Sequence, residues 1–162
     1  MKGQNLKSEH HIVRYVPFGK LRKDDNDIPI GVNHNAFLLR PDETGLSVTW
    51  LEYFSGDRSA QVRSAVLAIR ASEMHPTTKS GFAIGKVAAI TDTCEARQYK
   101  IRIIHWPEDD NKAHAEIRQL PRDDTVLLEQ IAASVWSELV LNASIQPIDA
   151  QAPAPDEPAV PL

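Results

Sequence analysis

The chain has 162 residues, 42 % hydrophobic and 25 % charged, with a net charge of −4. That length suits one domain with a real core, and the acidic balance argues against a duplex-binding surface. A single cysteine, Cys94, excludes an intrachain disulfide and a cysteine-rich zinc site and suits a reducing cytoplasm. The expectation is a soluble, cytoplasmic chain: the N-terminus lacks the apolar core of a signal peptide, and no run approaches the ~18 apolar residues of a membrane span.

Charge is unevenly spread. Residues 1–23 hold six bases against one acid, and residues 107–141 hold eight acids against three bases. Either edge could meet a partner of opposite charge, although ordinary solvated faces look the same.

Residues 11–16 (HIVRYV) alternate as a first strand that stops at Pro17. Residues 17–35 are turn-rich. Residues 36–40 (AFLLR) read as a short strand, and 46–54 (LSVTWLEYF) begin as another, with Leu46, Val48 and Trp50 on one face and Ser47, Thr49 and Leu51 on the other. Asp57 suits the N-cap of a helix over residues 58–72, where Val62, Val66 and Ile69 form one stripe. Residues 81–90 (GFAIGKVAAI) read as a buried strand, 92–95 as a turn and 97–105 (RQYKIRIIH) as a strand, so that 81–91 and 97–105 form a hairpin. Residues 113–117 are a further short strand. Asp123 caps a last amphipathic helix over about residues 124–141. Residues 143–162 alternate Pro and Ala with acids and read as a disordered tail. The sum is a single α+β domain over residues 1–142: a mostly antiparallel sheet of about five or six strands, with two main helices on one face.

The polar block 105–124 concentrates the candidate chemistry. His114 and Glu116 stand two apart on a strand, so both side chains share a face, where a His–carboxylate pair serves acid–base work or holds a metal; two solvated groups on an edge strand fit equally. His105 shares a face with Tyr99, Ile101 and Ile103, which suits a packed core histidine; beside His114 it would make a two-histidine cluster near Asp109 or Asp110. Glu108–Asp110 read as a solvated turn. Arg14 lies inside a β-branched run and needs a carboxylate or phosphate if buried, with Glu52 and Glu116 as possible internal partners. Arg14, Ser47 and a later acid also suit an ADP-ribosyltransferase-like site, by analogy. The HPTTKSG segment lacks a P-loop pattern, Ser47 and Ser80 sit in no GxSxG frame, and Cys94 has no histidine near it in sequence.

HIVRY near the start, AFLLRPDETGLSV in the first half, and NKAHAEI before an acidic helix cap together resemble short uncharacterised bacterial proteins. The resemblance covers about residues 10–140. It implies a bacterial origin and a role beside other gene products, as in conflict or defence systems, and supplies no catalytic residues. Two functional expectations result. One is an interaction or accessory protein acting through a protein partner. The other is a small enzyme, ADP-ribosyltransferase-like or a His/carboxylate hydrolase, using Arg14, His105, His114 and Glu116. Convergence of Arg14, His114 and Glu116 on one concavity would favour the enzyme, and side chains on separate faces would favour the interaction protein.

Overall fold

The computed structural model describes residues 2–136 and 138–146. In chain order the elements are β1 (His11–Val16), β2 (Leu21–Lys23), β3 (Pro29–Val32), β4 (Gly45–Trp50), α1 (Arg58–Ala71), β5 (Gly81–Lys86), α2 (Val87–Glu95), β6 (Arg102–His105), β7 (His114–Arg118), α3 (Thr125–Gln130) and β8 (Glu138–Leu141). Six strands form an antiparallel sheet in the order β6-β7-β4-β1-β5-β8, and β2 and β3 make a separate hairpin. The fold is α+β. No helix among the described residues is long and apolar enough to cross a membrane.

Helices cover both faces of the sheet, not one. Val62, Ala65, Val66 and Ile69 of α1 pack against Val13, Phe82 and Ile84 on one face. The other face carries the larger core: Ile12, Val16, Leu46 and Val48 meet residues from α2, α3 and the turns around them. Both sides of β1 and β5 are therefore buried, which explains their near-continuous apolar character.

Several expected elements are replaced. Residues 36–40 are not a strand: the chain makes a 3-10 turn over His34–Phe37 that buries Ala36 and Phe37. The predicted strand 81–90 ends at Lys86, and α2 begins at once; Val87, Ile90 and Cys94 are its buried stripe. The predicted turn 92–95 lies inside that helix. The expected hairpin of 81–91 with 97–105 does not form, because β5 lies between β1 and β8 while β6 pairs with β7. Gln98, at φ 68°, helps turn the chain after α2, and β6 starts only at Arg102.

The predicted helix 124–141 breaks into three pieces. α3 ends at Gln130, a π-helical turn covers Ile131–Val135, and the chain then enters β8 on the edge of the sheet. The wide turn, in which Trp136 N–H donates to Ile131 O, drives Trp136 into the core. Its ring stacks on Phe37 with centroids 5.0 Å apart and covers Gly85, where an added Cβ would come within 3.2 Å of it.

The first residues assigned to the tail are structured instead. Asn142–Ser144 form a 3-10 turn docked on α1 by the buried Arg70, which donates to Asn142 Oδ1, Asn142 O and Ile145 O, each at 2.9 Å. The rest of the predicted tail, residues 147–162, lies outside the described residues.

Asp124, not Asp123, is the N-cap of α3. Its carboxylate accepts from Leu127 N–H and from the Arg97 guanidinium and Tyr99 hydroxyl. These bonds, the Leu127 one foremost and Arg97 next, hold its pKa below the usual aspartate range. A depressed folded pKa favours folding above the ordinary aspartate range, and that contribution is lost as pH falls through the lower folded value. Asp124→Asn keeps a competent cap but removes the charge, so its melting temperature should fall less steeply with acidification than that of the unaltered chain. Melting curves between about pH 6 and pH 3 check this; parallel curves would refute it.

Candidate functional site

The ladder between β1 and β4 holds only Ile12 with Trp50 and Val13 with Thr49, although each strand runs six residues. By contrast β1 pairs with β5 along its whole length, and β4 with β7 over five residues. The sheet therefore parts at its centre beyond Val13 and Thr49. A cleft of about 460 Å³ opens at this seam, within the range of small-molecule sites. Its lining includes Arg14, Ser47, Thr49, Asn111 and His114.

Arg14 bridges the seam. Its Nε donates to Ala36 O at 3.0 Å and its Nη1 to Ser47 O at 2.7 Å, replacing the ladder bond that the parted strands cannot make. Neither internal partner expected for it is used: Glu52 bonds His11 (2.6 Å) and Glu116 bonds Arg118 (2.8 Å). Burial, only partly offset by the charge of Glu43, pushes its pKa down to about 10, so the guanidinium stays charged at neutral pH.

His114 and Ser47 meet in the cleft wall. Thr49 faces His114 and Ser47 faces Glu116 across β4 and β7, so all four share one side of the sheet. The imidazole reaches diagonally, placing Nε2 2.7 Å from Ser47 Oγ. Its Nδ1 lies 2.7 Å from Trp106 O and 3.7 Å from a Glu108 carboxylate oxygen. A carbonyl only accepts, so the neutral ring carries its proton on Nδ1 and turns the Nε2 lone pair toward the Ser47 hydroxyl. A hydroxyl, an imidazole and a carbonyl acceptor thus stand in line, with the Glu108 carboxylate nearby, a geometry that can serve nucleophilic or acid–base chemistry.

The loop from Trp106 to Ala113 holds this arrangement. Trp106 N–H donates to His114 O, and Glu108 and Asn111 bond each other. Asn111 is buried: its Nδ2 donates to Thr49 Oγ1 (3.0 Å), its Oδ1 accepts from Ala113 N–H, and its carbonyl accepts from His114 N–H. Asn111→Ala removes two of these bonds and should cost about 1–3 kcal/mol. Denaturant melts check this.

Of the four expected site residues, Arg14 and His114 line the cleft. Glu116 lies beside it, half-covered and paired with Arg118. Glu116 thus stays outside the cleft, while two other later acids, Glu108 and Asp110, line it. Glu108, His114 and Glu116 bring ligand atoms within 4.8 Å of one another and could hold a metal ion, but both His114 nitrogens and the Glu116 carboxylate already have partners that an ion would displace. His105 takes no part. It sits on the opposite face of the sheet, 6 % exposed, with Nε2 bonded to Lys112 O and its ring against Trp50 and Tyr53. The two-histidine cluster is absent among the described residues. In the sequence Ser47 and Thr49 share one strand face, but nothing local supplies Ser47 with a base, Glu108 falls in a polar turn, and no pattern singles out Asn111. A hydroxyl pair two residues apart on a strand side shared with Leu51 was the available signal.

No protein-family model matches the chain, and no curated protein and no solved structure matches it.

Proposed function

We propose that the chain is a small serine hydrolase of the acyl-transfer type. The observation that carries this is the Ser47 Oγ–His114 Nε2 contact of 2.7 Å, in a cleft, with His114 Nδ1 held by Trp106 O. Ser47 Oγ attacks a substrate carbonyl carbon while His114 Nε2 takes the hydroxyl proton. The same proton passes to the leaving group as its bond to the acyl carbon breaks. Water, deprotonated by His114, then releases the acyl group and restores Ser47. Two residues of an antiparallel pair exchange N–H and C=O toward each other, so a residue's two backbone groups point to one side. The Ser47 carbonyl reaches Arg14 across the seam, and the Ser47 amide faces the same seam, where it can serve a developing oxyanion.

An uncharged fluorophosphonate probe, followed by peptide mapping, tests the reading. The expected result is a phosphonyl adduct on Ser47 in the folded chain and none in Ser47→Ala. A folded chain that stays unmodified at Ser47 removes the hydrolase. The accessory-protein reading, in a bacterial conflict or defence setting, would then be the better one. It is favoured by Ile28 and Ile30, each 55 % exposed on the β2–β3 hairpin, where a protein partner could cover them.

A further inference from the structure

We infer that the substrate carries a free carboxylate, seated on Arg14 a short spacer away from the scissile carbonyl. The inference deepens the hydrolase reading and rests on it. A guanidinium has five N–H donors, of which Arg14 commits one from Nε and one from Nη1. Its Nη2 meets no protein acceptor within hydrogen-bond distance, and no carboxylate lies within 4.0 Å of the group among the described residues. A charged, largely desolvated guanidinium with its outer edge uncommitted, lining a cleft, is a recognition group for a planar oxyanion. The spacer is short because Nη1 bonds the backbone carbonyl of the nucleophile itself.

The charge of the cleft selects a carboxylate over a phosphate. Glu43, Glu73, Glu108 and Asp110 also line it, against Lys20 and Arg40 besides Arg14. One negative charge held at Arg14 is tolerated there, whereas a dianion is repelled by the surrounding acids. Neighbouring Glu43 is itself engaged by Arg40, at 3.0 Å.

Two measurements test the inference. The first compares hydrolysis of p-nitrophenyl acetate with that of mono-p-nitrophenyl glutarate, a monoanion. The expected kcat/KM is about tenfold or more in favour of the monoanion, falling toward parity in Arg14→Gln. The second measures binding of monomethyl glutarate to Ser47→Ala, which needs no turnover. Binding should weaken about tenfold or more when Arg14→Gln is added, with Arg14→Lys intermediate, and inorganic phosphate should compete poorly. Ser47 labelling with no preference for the monoanion overturns the inference and leaves the hydrolase standing. Equal competition by phosphate overturns the carboxylate assignment. Arg14-dependent binding of monomethyl glutarate without Ser47 labelling upholds the carboxylate site and sinks the hydrolase instead. Should Arg14→Gln fail to fold, the substrate preference of the unaltered chain and the Arg14→Lys binding still decide the matter.

Discussion

Ser47→Ala should abolish phosphonylation and lower ester hydrolysis by about 10⁴-fold or more, the scale of losing a serine nucleophile. His114→Ala should cost about 10²- to 10⁴-fold, because the hydroxyl remains but its base is gone. If the two groups act as one unit, as proposed, the double variant should be no slower than Ser47→Ala alone. Additive losses would show that Ser47 and His114 act separately and would undo the dyad. Stability distinguishes the two positions. Ser47→Ala forfeits one hydrogen bond, about 1 kcal/mol, whereas His114→Ala strips Trp106 O of its partner at a buried site, about 1–3 kcal/mol. Melting curves run beside the kinetics therefore separate a chemical loss from a folding loss.

Trp136→Ala should be the most damaging single truncation in the core, at about 3–5 kcal/mol, or roughly 10 °C in melting temperature. The indole is 2 % exposed, stacks on Phe37 and covers the bare backbone of Gly85. Its loss opens a cavity between β5, the 34–37 turn and the π-turn, none of which can collapse freely because each is tied to the sheet or to α3. Trp136→Phe should cost much less, since the indole N–H it removes has no hydrogen-bond partner among the described residues. A small loss on Trp136→Ala would mean that the break in the last helix is held by something other than this ring.

That break shows why parts of the fold were legible and others were not. β1, β4 and α1 follow from local rules: alternation, β-branched residues, and the Asp57 cap whose carboxylate accepts from Ala60 N–H. Leu127, Leu128, Ile131 and Val135 continue one helical stripe, so nothing local announces a π-turn; the reward for it, burial of Trp136 against Phe37, lies about a hundred residues away in sequence. The run GFAIGKVAAI hides its boundary differently. A doubly buried strand and a helix buried along one stripe are both apolar there, and the helical spacing of Val87, Ile90 and Cys94 emerges only once residues past 90 are included.

The site divides in the same way. Period two places His114 with Glu116 and Ser47 with Thr49. Bringing Ser47 to His114 requires knowing that β4 lies beside β7, a pairing across 67 residues. The neutralising of Glu116 by Arg118 could have been seen, since the two stand two apart on one strand.

The parted seam has a consequence for self-association. Two strands that separate within a sheet expose unpaired backbone edges, which ordinarily recruit an extended segment from another molecule. Here the Ser47 carbonyl, the acceptor such a segment would need, is capped by the Arg14 side chain, and that cap carries a half-buried charge. Arg14 thus withholds that acceptor from an invading strand, and a neutral residue at position 14 would free it along with removing the charge.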